Sequence, residues 1–520
     1  MANYVQGEVQ GLRTNRSHFD MSNRHATTID FDNLVPVYTQ EVLPGDTFTM
    51  NATIFGRFAT LLNPILENTY LDIHFFYAPT RILWNNARKF YGEPTDPGDS
   101  IAYTIPTMSA TAATGYSELS IHDYMGLPTK IPDYSHISLY HRLYNFVYNE
   151  FYRDQNLQDS VVVDLDDGPD TPTDYTILKR NKMHDYFTSG LPNLLKDPAT
   201  AQTLPLGTSA PIHSAGGNAA SPGIYSDAQS ATVQLTADTA TVLMNNVAGS
   251  NPMYANLADA TAATILQLRQ AVQIQAILEL DSRSGTRYPE VLYSVYGVQY
   301  TGESYRPEFL GGGSTRIDIQ QVSQTSNDGT NGDVGDLGAY GTFGLDNAGF
   351  SKSFQEPGVI IGIVSARADL TYQQGLDRKF SRTDRYSYFH PLLQNIGDQA
   401  TLKQELVCQN PATDTGSTGI PDNERTFNYQ ERYAEYKYST NQITGLFRSN
   451  ATASLDPWHL SEEFTAAEPN YNAAFMQQNT PVDRVVATAA EPHLIIDCDF
   501  NMQAARPMSM YSIPGFGTRL

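Results

Sequence analysis

Residues Thr47–Phe55 alternate without a break. Phe48, Met50, Ala52 and Ile54 fall on one side, and Thr47, Thr49, Asn51 and Thr53 on the other. That is the period-two pattern of a strand with one buried face and one wet face. Near the far end of the chain, Leu494, Ile496, Cys498, Phe500 and Met502 alternate with Asp497, Asp499 and Asn501 in the same way. This second strand has no strand partner nearby in sequence. It predicts a sheet closed by elements from the two ends of the chain, with loops and helices filling the middle.

The first strand lies inside an apolar stretch, Leu34–Trp84. Pro44-Gly45-Asp46 ahead of it is a turn, because proline fixes φ, glycine takes positive φ and aspartate bonds its own backbone. Val35, Val37 and Tyr38 suit a partner strand before the turn. Leu71, Ile73, Phe75 and Tyr77 alternate with Tyr70, Asp72, His74 and Phe76 in a third strand, ended by Ala78-Pro79. These three are expected as antiparallel neighbours with one apolar face that the rest of the chain must cover. Val359–Leu370 is a continuous β-rich run, as in a strand buried on both faces.

Leu139, Leu143, Phe146, Val147 and Phe151 recur at helical spacing and predict an amphipathic helix over Ser138–Tyr152. A second helix carries Ile265, Leu268, Val272 and Ala276, widened by Leu266, Ile274, Ile277 and Leu278. It is expected to pack on more than one side and to stop at Ser284-Gly285. Strands and helices do not alternate, so a β-sandwich with large insertions fits better than tandem α/β domains.

Charge narrows the function. Lys plus Arg number 33 against 56 Asp plus Glu, a net charge of −23. Such a chain is not a basic DNA binder, and a shell around nucleic acid would need basic help from elsewhere. Tyrosine (32) and phenylalanine (23) are abundant, which suits wide protein–protein interfaces as well as cores. Cys408 and Cys498 form no disulfide framework and read as free thiols. The N-terminal residues lack an apolar signal region, and the longest apolar run, Gly358–Val364, is too short to span a bilayer. A soluble protein without membrane insertion is expected.

Residues 1–33 read as a polar arm without its own core, and residues 34–520 as a single domain. Within it, residues 197–260 are rich in Ala, Thr, Ser, Gly and Asn and nearly free of charge, the composition of an exposed, loop-rich insertion with a few short strands.

Several blocks carry a family resemblance: PVYTQEVLPGDTF from Pro36, RLYNFVYNEFYRDQNLQ from Arg142, KRNKMHDYFTSGLP from Lys179 and LRQAVQIQAILELDSRSGTRYPE from Leu268. RPEFLGGGS from Arg306, LTYQQGLDRKFSRTDRY from Leu370, NYQERYAEYKY from Asn428 and LDPWHL from Leu455 continue it in order. The chain resembles the major capsid proteins of the Microviridae, on the gokushovirus side. The resemblance implies an eight-stranded viral jelly roll (a β-sandwich or barrel), sixty copies of which form a small T=1 icosahedral shell. It implies that 197–260 projects at the threefold axes. It also implies a circular single-stranded DNA genome, a small basic DNA-binding protein, a minor pilot protein, a scaffolding protein during assembly and a host cell-surface receptor. Localisation would be the virion, assembled in the bacterial host cytoplasm. The alternative is a non-viral β-sandwich surface or adhesin protein.

No catalytic motif is present, and the chain is not expected to be an enzyme. Gly311-Gly312-Gly313-Ser314 lacks the lysine of a phosphate loop and reads as a flexible connection or tight interface turn. The acidic stretches Asp164–Asp170 and Asp328–Asp336 could cage a structural divalent cation, but neither keeps calcium-loop spacing, and solvated turns are the plainer reading. No cofactor is expected. Arg378, Lys379, Arg382 and Arg385 interleave with Phe380, Tyr386, Tyr388 and Phe389, the mixture single-stranded DNA prefers. The plainer reading there is an intersubunit patch meeting a neighbour's acidic excess. Lys179, Arg180 and Lys182, and Arg13 and Arg16 of the arm, are further candidates for DNA contact.

Overall fold

The computed structural model describes residues 16–195, 265–283, 285, 287–300, 305–325, 334–414, 420–465 and 470–511, with short strands at 212–214, 224–226, 231–233 and 253–255. The chain divides into two units, Met1–Pro192 with Gly297–Leu520, and Asn193–Tyr296.

Among the described residues the sandwich of the first unit is built on ten strands: β1 (Ser17–Asp20), β2 (Asn23–Ile29), β3 (Val35–Val42), β4 (Thr47–Phe58), β5 (Thr69–Pro79), β6 (Glu308–Arg316), β7 (Asp318–Ser323), β8 (Leu337–Ser353), β9 (Gly358–Ala368) and β10 (Leu494–Arg506). One sheet runs β1/β2–β10–β4–β8–β7 and the other β6–β5–β9–β3, with every pairing antiparallel. Leaving aside β1 and the edge strand β7, the first sheet takes the first, eighth, third and sixth strands in chain order. The second takes the second, seventh, fourth and fifth. That interleaving is the jelly roll, here as two packed sheets rather than a closed barrel.

The far-end strand behaves as its pattern demands. β10 pairs with β2 from Leu494↔Ile29 to Phe500↔Asn23, and along its other edge with β4 from Leu494↔Phe58 to Ala505↔Thr47. The polar stretch at the N-terminal end is thus strand from Ser17 to Ile29, apart from a two-residue break, and its register is held by β10.

The sandwich core follows from alternation. Phe48, Met50 and Ile54 of β4 and Ile496, Phe500 and Met502 of β10 face Leu71, Ile73 and Phe75 of β5. Phe500 lies 4.8 Å from the Tyr38 ring and 6.4 Å from the Phe75 ring. β3, β4 and β5 are not neighbours in one sheet, contrary to the sequence expectation. β4 lies in one sheet, and β3 and β5 lie in the other with β9 between them. Gly45 at φ +90° and the Asp46 carboxylate, accepting from the Leu43 amide at 2.8 Å, form the turn that carries the chain across the sandwich.

β9 is buried on both faces, as its composition predicts. Ile360 and Val364 enter the sandwich core, whereas Val359, Ile361 and Ile363 meet a second apolar layer made by Leu83, Trp84, Leu143, Tyr144 and Val147. Helix α1 (Leu139–Val147) supplies most of that layer, and its expected last turn, Tyr148–Tyr152, is a π turn.

Gly311–Gly313 is not a flexible connection or turn but the middle of β6. A Cβ on Gly312 would sit 2.1 Å from the Ile73 carbonyl oxygen of β5, and one on Gly313 2.7 Å from Ala348 Cβ of β8. The glycines are required by close approach, not by flexibility.

The second unit contains helix α2 (Ile265–Arg283), placed where the sequence predicts it, and two ladders pairing Ile212–Ser214 with Met253–Ala255 and Ile224–Ser226 with Ala231–Val233. The expectation that α2 packs on several sides is not met: none of its side chains is buried among the described residues. The Ala-, Thr-, Ser- and Gly-rich stretch before it offers few large side chains to cover an apolar stripe.

Candidate functional site

Between β9 and β10 the chain builds a lobe whose small core joins Tyr372, Leu406, Phe427 and Phe475 to Tyr186 and Phe187 from the segment ahead of β6. The basic-aromatic segment lies on this lobe. Asp377 caps a single helical turn, Arg378–Ser381, by accepting from the Lys379 amide at 3.0 Å.

Two carboxylates hold two of the segment's arginines. Arg378 reaches Glu405 at 3.4 Å, Glu435 at 4.0 Å and the Ala400 carbonyl at 3.0 Å. Arg382 reaches Glu435 at 3.1 Å, with both side chains less than a tenth exposed. Tyr186 donates to Glu405 at 2.9 Å and Gln399 to Glu435 at 2.6 Å. Burial pushes the Glu405 carboxyl above its ordinary range, against the opposing pull of Arg378. Lys379 pairs with Asp377 at 2.7 Å. The Arg382 guanidinium lies 4.3 Å from the Tyr436 ring and 5.5 Å from the Tyr388 ring. Arg378, Lys379, Arg382, Glu405, Glu435 and Tyr436 line a cavity of about 680 Å³ together with Tyr372, Phe380, Tyr438 and Arg448.

Of the candidate cations, Arg378, Lys379 and Arg382 are therefore already paired within the chain, whereas Arg385 and Tyr386 are exposed. Arg16 donates to Thr47 Oγ1 at 2.5 Å and to the Ala505 carbonyl at 3.2 Å, and Arg13 lies outside the described residues. Lys179, Arg180 and Lys182 serve the fold: Arg180 pairs with buried Asp72 at 2.9 Å, Lys182 with Glu462 at 2.5 Å, and Lys179 donates to Asn479 at 3.0 Å. Glu405 and Glu435, which decide the electrostatics of the lobe, lie far along the chain from the arginines they hold. No local spacing marks them.

The acidic stretch Asp164–Asp170 is not simply a solvated turn. Asp170 is buried against Arg142 of α1, and Asp167 accepts from the Trp84 indole at 2.6 Å. Residues 328–333 of the other acidic stretch lie outside the described residues. Among the described residues no group of three or more His, Cys, Asp or Glu is placed to hold a metal ion. Nor is any helix there long and apolar enough to cross a membrane. Cys408 is exposed and Cys498 buried, both as free thiols.

A jelly roll with long insertions between its strands is an architecture that viral shell proteins share with lectins and cupins. A family model described as "Capsid protein (F protein)" matches residues 7–516. Capsid protein VP1 of Bdellovibrio phage phiMH2K is 41% identical over 530 residues, covering 98% of this chain and 96% of the relative. Capsid protein VP1 of Chlamydia phage 1 is 37% identical, with 98% and 97% covered, and that of Spiroplasma virus 4 is 30% identical, with 97% and 96% covered. The chain belongs to this family of phage capsid proteins. It is a structural protein of the virion, and the surface-protein or adhesin alternative is not favoured.

Proposed function

We propose that this major capsid protein self-assembles, as sixty copies, into a small T=1 icosahedral shell that encloses circular single-stranded DNA and contributes to host attachment. The observation that carries the reading is the family match over residues 7–516 on a jelly roll whose eight strands are all present. With a net charge of −23 the chain cannot neutralise a genome, so a small basic DNA-binding protein is the expected partner inside. A minor pilot protein, a scaffolding protein and a host cell-surface receptor complete the set, with assembly in the bacterial cytoplasm. Arg385 and Tyr386, and Arg13 and Arg16, are the side chains proposed to touch DNA. Residues 197–260 are the proposed surface protrusion at the threefold axes.

Electron microscopy and sedimentation of the purified chain, alone and with its co-expressed phage partners, test this. Uniform small shells are expected. A chain that stays monomeric in both settings would overturn the reading.

A further inference from the structure

The lobe's cavity of about 680 Å³ falls within the range of small-ligand sites, roughly 300–1,000 Å³. Its inner charges are spent. Glu405 and Glu435, each less than a tenth exposed, hold Arg378 and Arg382. Its outer lining is aromatic, with Phe380 73% exposed, Tyr438 54% and Tyr436 51%. Arg448 lines the same cavity, half-buried, and its guanidinium has no hydrogen bond or ion pair among the described residues.

These groups are held in place. The Tyr436 and Tyr438 amides donate to the Tyr433 and Ala434 carbonyls at 3.0 and 2.9 Å. The Arg382 guanidinium lies 4.3 Å from the Tyr436 ring, and Lys379 Nζ 5.1 Å from the Phe380 ring. Beside Arg448, the Ser449 amide donates to Gln373 Oε1 at 2.8 Å and the Ser449 hydroxyl to Asp456 at 2.7 Å. A ligand meets groups already positioned and has little to order.

We propose that this cavity binds one nucleotide unit, its planar base against Phe380, Tyr436 and Tyr438 and its phosphate on Arg448. An uncommitted guanidinium among charges that are otherwise matched calls for an anion, and exposed rings call for a flat body beside it. A nucleotide supplies both in one ligand. Stacking plus phosphate neutralisation is also how single strands are held without regard to sequence. Lys379 adds a second cation, because its pair with Asp377 lies partly in water, 54% and 30% exposed, and such a surface pair yields to a phosphate. A neutral sugar would leave Arg448 unmatched, and a bare inorganic anion would leave the rings uncovered. The nucleotide comes from the packaged single strand or from free nucleotide. The first source rests on the capsid reading, and it gives the strand proposed to touch Arg385 and Tyr386 a place to seat a base.

The test uses the full-length unassembled chain, with a fluorescent oligothymidine and thymidine monophosphate as probes. Both are expected to bind saturably and to compete. Thymidine, inorganic phosphate and deoxyribose are each expected to bind roughly tenfold more weakly or worse. Tyr438→Ala should weaken the monophosphate roughly tenfold, with Tyr438→Phe near wild type. Arg448→Gln should weaken it similarly and reduce the slope of log affinity against log salt for the oligonucleotide by about 0.7. Circular dichroism melts verify that the variants fold. Monophosphate binding that the oligonucleotide does not displace would keep the site and assign it to free nucleotide. Oligonucleotide binding without monophosphate binding, unchanged in both variants, would overturn the cavity and leave DNA contact elsewhere on the chain standing. Deoxyribose or inorganic phosphate binding as tightly as the monophosphate would overturn it too. So would no binding of either probe, whereas particles formed by the same chain with its phage partners would still support the capsid reading. Monophosphate binding by a chain that never forms particles would keep the site and remove the capsid reading alone.

Discussion

Arg142 and Asp170 form an ion pair with neither side chain exposed: Nε donates to Oδ2 at 2.8 Å and Nη2 to Oδ1 at 2.5 Å. Arg142 also donates to the Leu83 and Asp166 carbonyls at 3.1 and 2.9 Å, and Tyr175 donates to Asp170 at 2.9 Å. The pair pins the acidic loop to α1, and α1 covers the outer face of β9.

Removing one member leaves the other charged and buried. Asp170→Ala is expected to cost about 3–5 kcal/mol, because the buried guanidinium then keeps only the exposed Asp166 carboxylate at 3.5 Å. The double change Arg142→Met with Asp170→Leu is expected to recover much of that loss. Urea unfolding of the unassembled subunit measures both, and a single variant within about 1 kcal/mol of wild type would contradict the assignment.

Three histidines set the behaviour of the same region in acid. His122 Nδ1 and His141 Nε2 are 2.9 Å apart, Tyr116 and His136 share a hydrogen bond of 2.7 Å, and the His136 and His141 rings are 5.3 Å apart. Burial pushes His122 down to about 4, and pushes His136 and His141 down as well. Each imidazole therefore takes up its proton less readily in the fold than in the unfolded chain. Their contribution is intact above pH 6.5 and is lost as pH falls toward about 4. The slope is about 1.4 kcal/mol per pH unit for each proton taken up on unfolding. Melting temperature against pH should fall across this window in wild type and fall less steeply in His122→Gln. Parallel curves would rule the cluster out as the cause.

Gly312→Ala places a methyl group 2.1 Å from the Ile73 carbonyl oxygen. Strand β6 must then move from β5, at an expected cost of about 1–3 kcal/mol. Gly344→Ala on β8 has nothing within 4 Å of the new methyl and should be neutral or slightly stabilising. Equal melting temperatures for the two variants would show that β6 absorbs the methyl group without cost.

Shortening residues 205–255 is expected to leave particle formation intact and to impair attachment to the host. Loss of particles, read by sedimentation, would instead assign this stretch to subunit contacts.

The strands were legible wherever a single face is buried. Thr47–Phe55 and Leu494–Met502 show their alternation because water lies on the other side, and Val359–Leu370 shows none because both of its faces are covered. Strand order was not legible. β4 lies beside β10 rather than beside β3 or β5, and no local pattern records a partner that distant. Gly311–Gly313 misled because glycine usually weakens strands; here the neighbouring backbone leaves no room for a side chain. At the candidate site the cations and rings could be read directly, but Glu405 and Glu435 could not. What looked like a cationic strip is therefore, in the folded chain, mostly a set of closed ion pairs beneath exposed aromatic rings.

Strand β10 occupies the slot between β2 and β4. During synthesis the ribosome makes both flanking strands long before the strand that joins them. Until then, β4 has an open edge and the sandwich core lacks Ile496, Phe500 and Met502. A partly made subunit therefore cannot present finished contact surfaces, and such non-local pairing is also slow to form. The topology works as a clock, in which the sandwich is finished only after residues 494–506 have been made.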